Sequence, residues 1–294
     1  MKKTWCLALV LIISVFIFSG CKNKTTEDIN VISREDGSGT RSAFIDLFNI
    51  EVKGDNGSRK DLTTKEAIIA NKTDVMLINI AGDKYAIGYG SLGSLNDTVK
   101  ALKIDDVEPS AENIKNGTYK ISRPFNIATN GEPTGLTKDF IDFILSAEGQ
   151  AIVATNYVAA EDNPPAYASY DATDKQNGKI VVAGSSSVAP IMEKLKEAYL
   201  KVNPDATIEL QISDSTSGMT GAIEGTCDIG MASRELKDSE KDKLIGIEIA
   251  LDGIVILVNN ENTIDNLTSE DVREIFTGKL LNWREVQEEK YAEP

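Results

Sequence analysis

The strongest constraint on the fold is an element that occurs twice. Residues 29–48 read INVISREDGSGTRSAFIDLF, and residues 178–199 read GKIVVAGSSSVAPIMEKLKEAY. Each opens with a short β-branched run, passes through a loop of glycine, serine and threonine, and continues with helical spacing. Phe44, Leu47 and Phe48 fall on one face of the first helical segment; Val188, Ile191, Met192 and Leu195 do so in the second. Downstream of each lies a segment that reads as helix leading into strand, KEAIIANKTDVMLINI and GAIEGTCDIGMAS. Two related units of this kind predict two α/β lobes, each a sheet covered by helices. Two copies are too few for a solenoid.

The loops between strand and helix carry the candidate chemistry. A helix start presents unpaired N–H groups and about half a positive charge. In the first loop Gly37 and Gly39 allow close backbone approach, and Ser38 and Thr40 add hydroxyl donors. Arg34 at the strand end offers a fork of charged donors, with Asp36 beside it to hold the fork or to take a proton from a ligand oxygen. The second loop offers Ser185, Ser186 and Ser187. One such loop is ordinary helix capping; two, from two lobes, make a cup for an oxyanion. Residues 212–225, ISDSTSGMTGAIEG, place Thr216 and Ser217 before a third helix, where capping and ligand contact fit equally well. Arg234 follows the strand-like CDIGMAS and either enters the same cleft or pairs at the surface with Glu235 or Asp238. Neither a P-loop nor a dinucleotide fingerprint is present.

Charge and composition narrow the classes. The formal net charge of −15 disfavours nucleic acid and anionic lipid as partners. The chain has no histidine, which removes Ser-His and Cys-His nucleophilic mechanisms and the commonest metal ligand. No cofactor or metal is expected. At the N-terminus, Lys2 and Lys3 precede the apolar run LALVLIISVFIF over residues 7–18, which is short for a membrane span and suits a signal peptide. It ends in FSGC at Cys21, followed by a polar tether over 21–29. Loss of residues 1–20 removes two lysines and takes the charge from −15 to −17. Cys227 is then the cysteine left for the folded part, among apolar neighbours, and reads as a small core filler.

The stretches VISREDGSGTRSAF, AIGYGSLGSL, DFIDFILSAEGQAIV, IVVAGSSSVAPIMEKL, SDSTSGMTGAIEGTCDIGMASREL, ALDGIVILVN and LTSEDVREIFTGKLLNW span nearly all of the mature chain. Together they resemble the phosphate-binding proteins of bacterial ABC-type phosphate importers, especially the lipoproteins of Gram-positive bacteria. The resemblance implies a two-lobed type II periplasmic-binding-protein fold, two α/β lobes joined by two crossing segments and closing on one phosphate. It implies a FSGC lipobox with Cys21 lipidated, a permease and ATPase complex as partners, and a monomer held to the extracytoplasmic face of the membrane. It puts anion contacts on Arg34, Ser38, Gly39, Thr40, Ser186, Ser187 and Thr216 or Ser217, with Asp36 bracing the arginine. Many Gram-negative members have an aspartate where this chain has Arg234, so the acceptor for the phosphate proton passes to Asp36 first and Asp214 second.

Segment order departs from the usual pattern of the family. REDGSGT comes first here and LLNW last, the arrangement of a circular permutation. Such a chain needs neighbouring ends, so Asn30 is expected close to Trp283. The lobes are then residues 30–125 plus 255–294, and 126–254, with crossings near RPFNIAT and LDGIVILVN. Residues 161–179 read as the loop joining the two ends of an unpermuted relative. A truncated or fused product is the other reading, although each expected segment is present once. The residues themselves reach as far as an exported, two-lobed anion binder. Another oxyanion, a sensor or adhesin on the same scaffold, and a phosphatase or serine hydrolase built on Ser186 or Ser38 are the remaining readings.

Overall fold

The computed structural model describes residues 27–54, 59–160, 168–171, 173 and 175–291. The expected signal peptide, Cys21, most of the tether and residues 161–167 of the joining loop lie outside the described residues. In chain order the elements are β1 (Asn30–Arg34), α1 (Gly39–Leu47), β2 (Glu51–Lys53), β3 (Arg59–Asp61), β4 (Ile68–Ala70), α2 (Thr73–Ala81), β5 (Ala86–Ser91), β6 (Val99–Ala101), β7 (Lys103–Ile104), α3 (Ala111–Lys115), β8 (Ser122–Thr129), α4 (Gly135–Ile144), α5 (Ala147–Val153) and β9 (Val158–Ala159). The chain continues with β10 (Gly178–Ser185), α6 (Ala189–Val202), β11 (Ala206–Ser213), α7 (Ser215–Glu224), β12 (Ile229–Ala232), α8 (Asp238–Lys241), β13 (Ile245–Asn259), β14 (Asn266–Leu267), α9 (Ser269–Phe276) and α10 (Trp283–Tyr291).

The main sheet runs β11-β10-β12-β8-β13-β5-β1-β4. At one end β10, β11 and β12 are parallel, and at the other β1, β4 and β5 are parallel. Between them β8 and β13 run antiparallel to each other and to their outer neighbours. The first part of β13 alternates half-buried and exposed residues, and the part from Ile249 on is almost wholly buried. A strand covered on both faces needs such a continuous apolar run. The apolar side chains sort into two sets of cores. One set draws on residues 29–121, Val158 and 254–286; the other draws on residues 125–250. The molecule is thus two α/β lobes joined by crossing strands, as the repeated unit requires.

Local sequence explains the placement of the helices. The α1 face carries Phe44, whose ring stacks on Tyr89 of β5 at 3.9 Å and meets Phe276 edge-on at 4.6 Å. On the opposite face of β1, Met76 and Ile80 of α2 pack with Ile32. In the other lobe Val188, Ile191, Met192 and Leu195 are buried, as their spacing predicts. Gly184 lies at φ 135°, and a Cβ there would stand 2.4 Å from the Met231 carbonyl. With Gly218 it lets α7 lie directly on β10 and β12. Cys227 is buried in a small core, where burial pushes its thiol up to about 11. One expectation changes: in KEAIIANKTDVMLINI the run Ile68–Ala70 is an edge strand in parallel register with β1, and the helix starts only at Thr73. The β-branched pair Ile68 and Ile69 suits the open edge of β1 better than a helix.

The first and last described segments lie together. Ile29 N–H donates to the Leu281 carbonyl at 2.8 Å, and Trp283 N–H donates to the Glu27 carbonyl at 3.0 Å. Asp28 and Asn282 form an antiparallel bridge.

The crossing strands carry a buried ion pair. Arg123 of β8 and Asp252 of β13 oppose each other in register, with Nη2 and Oδ2 3.1 Å apart. Asp252 also accepts from the Ser91 hydroxyl at 2.8 Å and the Gly93 N–H at 3.4 Å. Both side chains are at most 2% exposed. Removing one partner leaves a charge without compensation, which is far costlier than removing both. Asp252→Ala is therefore expected to lower stability in urea by about 3–5 kcal/mol, and Arg123→Met combined with Asp252→Leu to lose less than that single change.

Candidate anion-binding site

The loops that open α1, α2, α6 and α7 meet at the seam between the lobes, and most of the polar side chains there are buried. Arg34, Ser38, Thr40, Thr73, Ser185, Ser186, Ser187, Ser215, Ser233 and Arg234 are all under 9% exposed. Buried polar groups must be paired to be tolerated, and here several pairs join one lobe to the other. Arg34 Nη2 donates to Ser186 Oγ at 3.1 Å, and the hydroxyls of Thr40 and Ser187 are 2.9 Å apart. Both the N–H and the hydroxyl of Thr216 reach the Gly37 carbonyl at 3.2 Å. Arg34 and Ser186 therefore face a shared polar region, on opposite sides of the seam.

Each arginine is held by a glutamate. Arg34 Nε and Nη2 donate to the two Glu35 oxygens, both at 2.8 Å, in a two-pronged pair. Arg34 Nε also reaches the Ala70 carbonyl at 3.2 Å, and Nη1 reaches Thr73 Oγ1 at 3.2 Å. Arg234 donates through Nη1 and Nη2 to Glu240 at 2.7 and 2.8 Å, and Glu240 also accepts the Lys237 N–H at 2.8 Å. Burial pushes the Glu240 carboxyl up, but the Arg234 and Lys237 hydrogen bonds outweigh it and leave the group below the usual glutamate range. Both guanidinium planes are thereby fixed by neighbours, and neither needs a ligand to hold its orientation.

Several expected residues take other places. Asp36 does not brace Arg34. Its side chain is 99% exposed and lies 3.5 Å from Arg41 Nη1, because the chain turns at Asp36 and Gly37 and sends this carboxylate to solvent. Glu35, the preceding residue, supplies the brace. Ser217 is exposed, and its hydroxyl donates to Asp214 Oδ2 at 2.6 Å within the cap of α7, so Asp214 is engaged there too. Ser38 is buried, and its hydroxyl accepts the Arg41 N–H at 3.2 Å as the cap of α1. Arg234 pairs with Glu240 rather than with Glu235 or Asp238. Sequence reasoning passed over Glu35, Thr73, Ser215, Ser233 and Glu240. Thr73 had a legible signal, a threonine and aspartate opening an apolar helical run.

Close contact across the seam fixes the glycines. A Cβ on Gly39 would stand 2.3 Å from Ser215 Oγ and 2.8 Å from Ser233 Oγ, both in the other lobe. On Gly37 it would stand 2.3 Å from Asp214 Oδ1. These two positions govern lobe contact and leave the lobe cores untouched. Gly39→Ala is expected to keep its unliganded melting temperature, to enlarge the radius of gyration in solution scattering, and to weaken anion binding at least about a hundredfold.

Comparison with known proteins identifies the family. The PBP superfamily domain matches residues 17–148 and 169–293. Phosphate-binding protein PstS 2 of Streptococcus agalactiae is 48% identical over 295 residues, covering 97% of this chain and 99% of its own. The protein of the same name from Streptococcus pneumoniae is 42% identical over 267 residues, covering 90% of each chain. A crystal structure of a phosphate ABC transporter phosphate-binding protein from S. pneumoniae superposes with a TM-score of 0.67 at 42% identity, covering 88% of this chain and 99% of that one. The chain belongs to the PBP superfamily, in the family of the phosphate-binding proteins PstS.

Proposed function

We propose that this protein binds inorganic phosphate between its lobes, outside the cytoplasm, and delivers it to an ABC importer. The observation that carries the reading is the convergence of donors from both lobes at the seam: Arg34 and Thr40 stand 2.9–3.1 Å from Ser186 and Ser187. A tetrahedral anion offers four acceptor corners. Helix starts, hydroxyls and a guanidinium fork arranged around one point match that shape. On this reading Arg34, Ser38, Gly39, Thr40, Ser186, Ser187, Thr216 and Arg234 form the lining, with Glu35 and Glu240 holding the arginines. The names of the streptococcal relatives support phosphate as the anion.

The lobes are residues 30–125 with 255–294, and 126–254. In this account the order of the segments is that of a permuted member of the family. The contact of residues 27–29 with 281–283 supports it, because a permuted chain must bring those segments together. The end-to-end match with the streptococcal relatives means that they share this order. Hinge closure about the crossing strands traps the anion, and the closed monomer is what the permease and ATPase complex receives. Cys21, lipidated and made the first mature residue by removal of residues 1–20, holds the protein to the outer face of the membrane.

Titration calorimetry of the mature protein is expected to give micromolar or tighter phosphate binding, with sulfate at least about a hundredfold weaker. Heat from sulfate equal to that from phosphate would turn the reading toward oxyanions in general. Silence with both would reject it. Replacing Cys21 with serine is expected to shift the protein from the membrane fraction to the medium, and retention at the membrane would contradict the anchor.

A further inference from the structure

Thr73 lies at the start of α2, on the face of β1 opposite α1. It is 5% exposed, and its environment is polar on every side that the hydrogen bonds define. Its hydroxyl accepts from Arg34 Nη1 at 3.2 Å and lies 3.0 Å from Ser187 Oγ and 3.3 Å from Ser186 Oγ. Its N–H donates to Ser186 Oγ at 3.3 Å. Arginine has donors only, so the oxygen of Thr73 is used as acceptor on that side and its own hydrogen points elsewhere. The direction left to that hydrogen is toward the Ser186 and Ser187 hydroxyls, the region where the proposed anion sits.

The helix itself adds an independent argument. The N-cap residue of α2, Lys72, makes no side-chain hydrogen bond to the first turn, and neither does Val188 at the start of α6. By contrast Ser38 caps α1 and Asp214 caps α7. Both of these helices, of 9 and 14 residues, start at this seam. Free first-turn N–H groups in a buried setting need an acceptor from another part of the molecule or from a ligand. For Thr73 that acceptor is now a serine of the opposite lobe.

We propose that Thr73, through its hydroxyl and its N–H, is a direct contact for the bound anion. The lobe of β1 then grips the ligand from both faces of that strand, with α1 on one side and α2 on the other. This rests on the phosphate reading above and adds to it a second binding element from the same lobe. Arg34 has a double part: it reaches Ser186 directly, and it polarises the Thr73 hydroxyl as a donor.

The test uses the mature full chain with inorganic phosphate in titration calorimetry, for wild type, Thr73→Val and Thr73→Ser. Valine keeps the shape and removes the hydroxyl; serine keeps the hydroxyl and loses only a methyl group. Valine is expected to weaken phosphate binding by about tenfold or more, as loss of a hydrogen bond to a charged group does, and serine to stay within about threefold. The amide proton of Thr73 in wild type is expected to move downfield when phosphate is added. A purely structural part for Thr73 would leave that resonance in place. Wild-type phosphate affinity in the valine variant, with an unmoved Thr73 amide, would overturn the inference and leave phosphate binding intact. Equal losses in both variants would also overturn it, because the hydroxyl is then not the contact. No phosphate binding by wild type would instead overturn the functional reading.

Discussion

Two guanidinium groups buried where the lobes meet set the terms for everything else. A buried arginine is tolerated only when its charge is matched and its donors are used. Here the match comes from within the same lobe: Glu35 for Arg34, and Glu240 for Arg234. Orientation is thereby fixed before any ligand arrives, which is what lowers the cost of binding. The donor sets of the two lobes are then brought to each other by contacts of about 3 Å between buried side chains.

The crossing strands make that seam adjustable. β8 and β13 belong to the same sheet as both lobes, and the Arg123–Asp252 pair ties them where they cross. Asp252 reaches into the β1 lobe through Ser91 and Gly93. A Cβ on Gly93 would stand 2.1 Å from the Tyr157 ring, so the two sides touch closely there as well. The hinge is thus densely tied, while the seam above it is held by hydrogen bonds and two glycines. The proposed closure would place its motion at a few residues of these strands, with the two cores moving as units.

Much of this was legible in the sequence because helix faces and strand–loop–helix order are local properties. The faces of α1 and α6, the donors in both loops and the core position of Cys227 follow from spacing and residue type alone. What was not legible depends on direction at a single residue or on distant partners. Glu35 and Asp36 are adjacent acids; only the turn at Asp36 and Gly37 decides that one meets Arg34 and the other meets water. Glu240 reaches Arg234 because α8 folds back onto the strand end, which no local pattern encodes. Ile68 and Ile69 read as helix until the open edge of β1 claims them, and that misplacement hid Thr73 at the true helix start.

The central claim is that one tetrahedral anion is gripped by both lobes at once. A crystal structure of the mature protein grown with arsenate, located by its anomalous scattering, tests it most directly. The account predicts a single arsenic peak at the seam, with anion oxygens within hydrogen-bond reach of Arg34 from one lobe and Ser187 from the other. A peak held by one lobe alone, or one outside the seam, would contradict it.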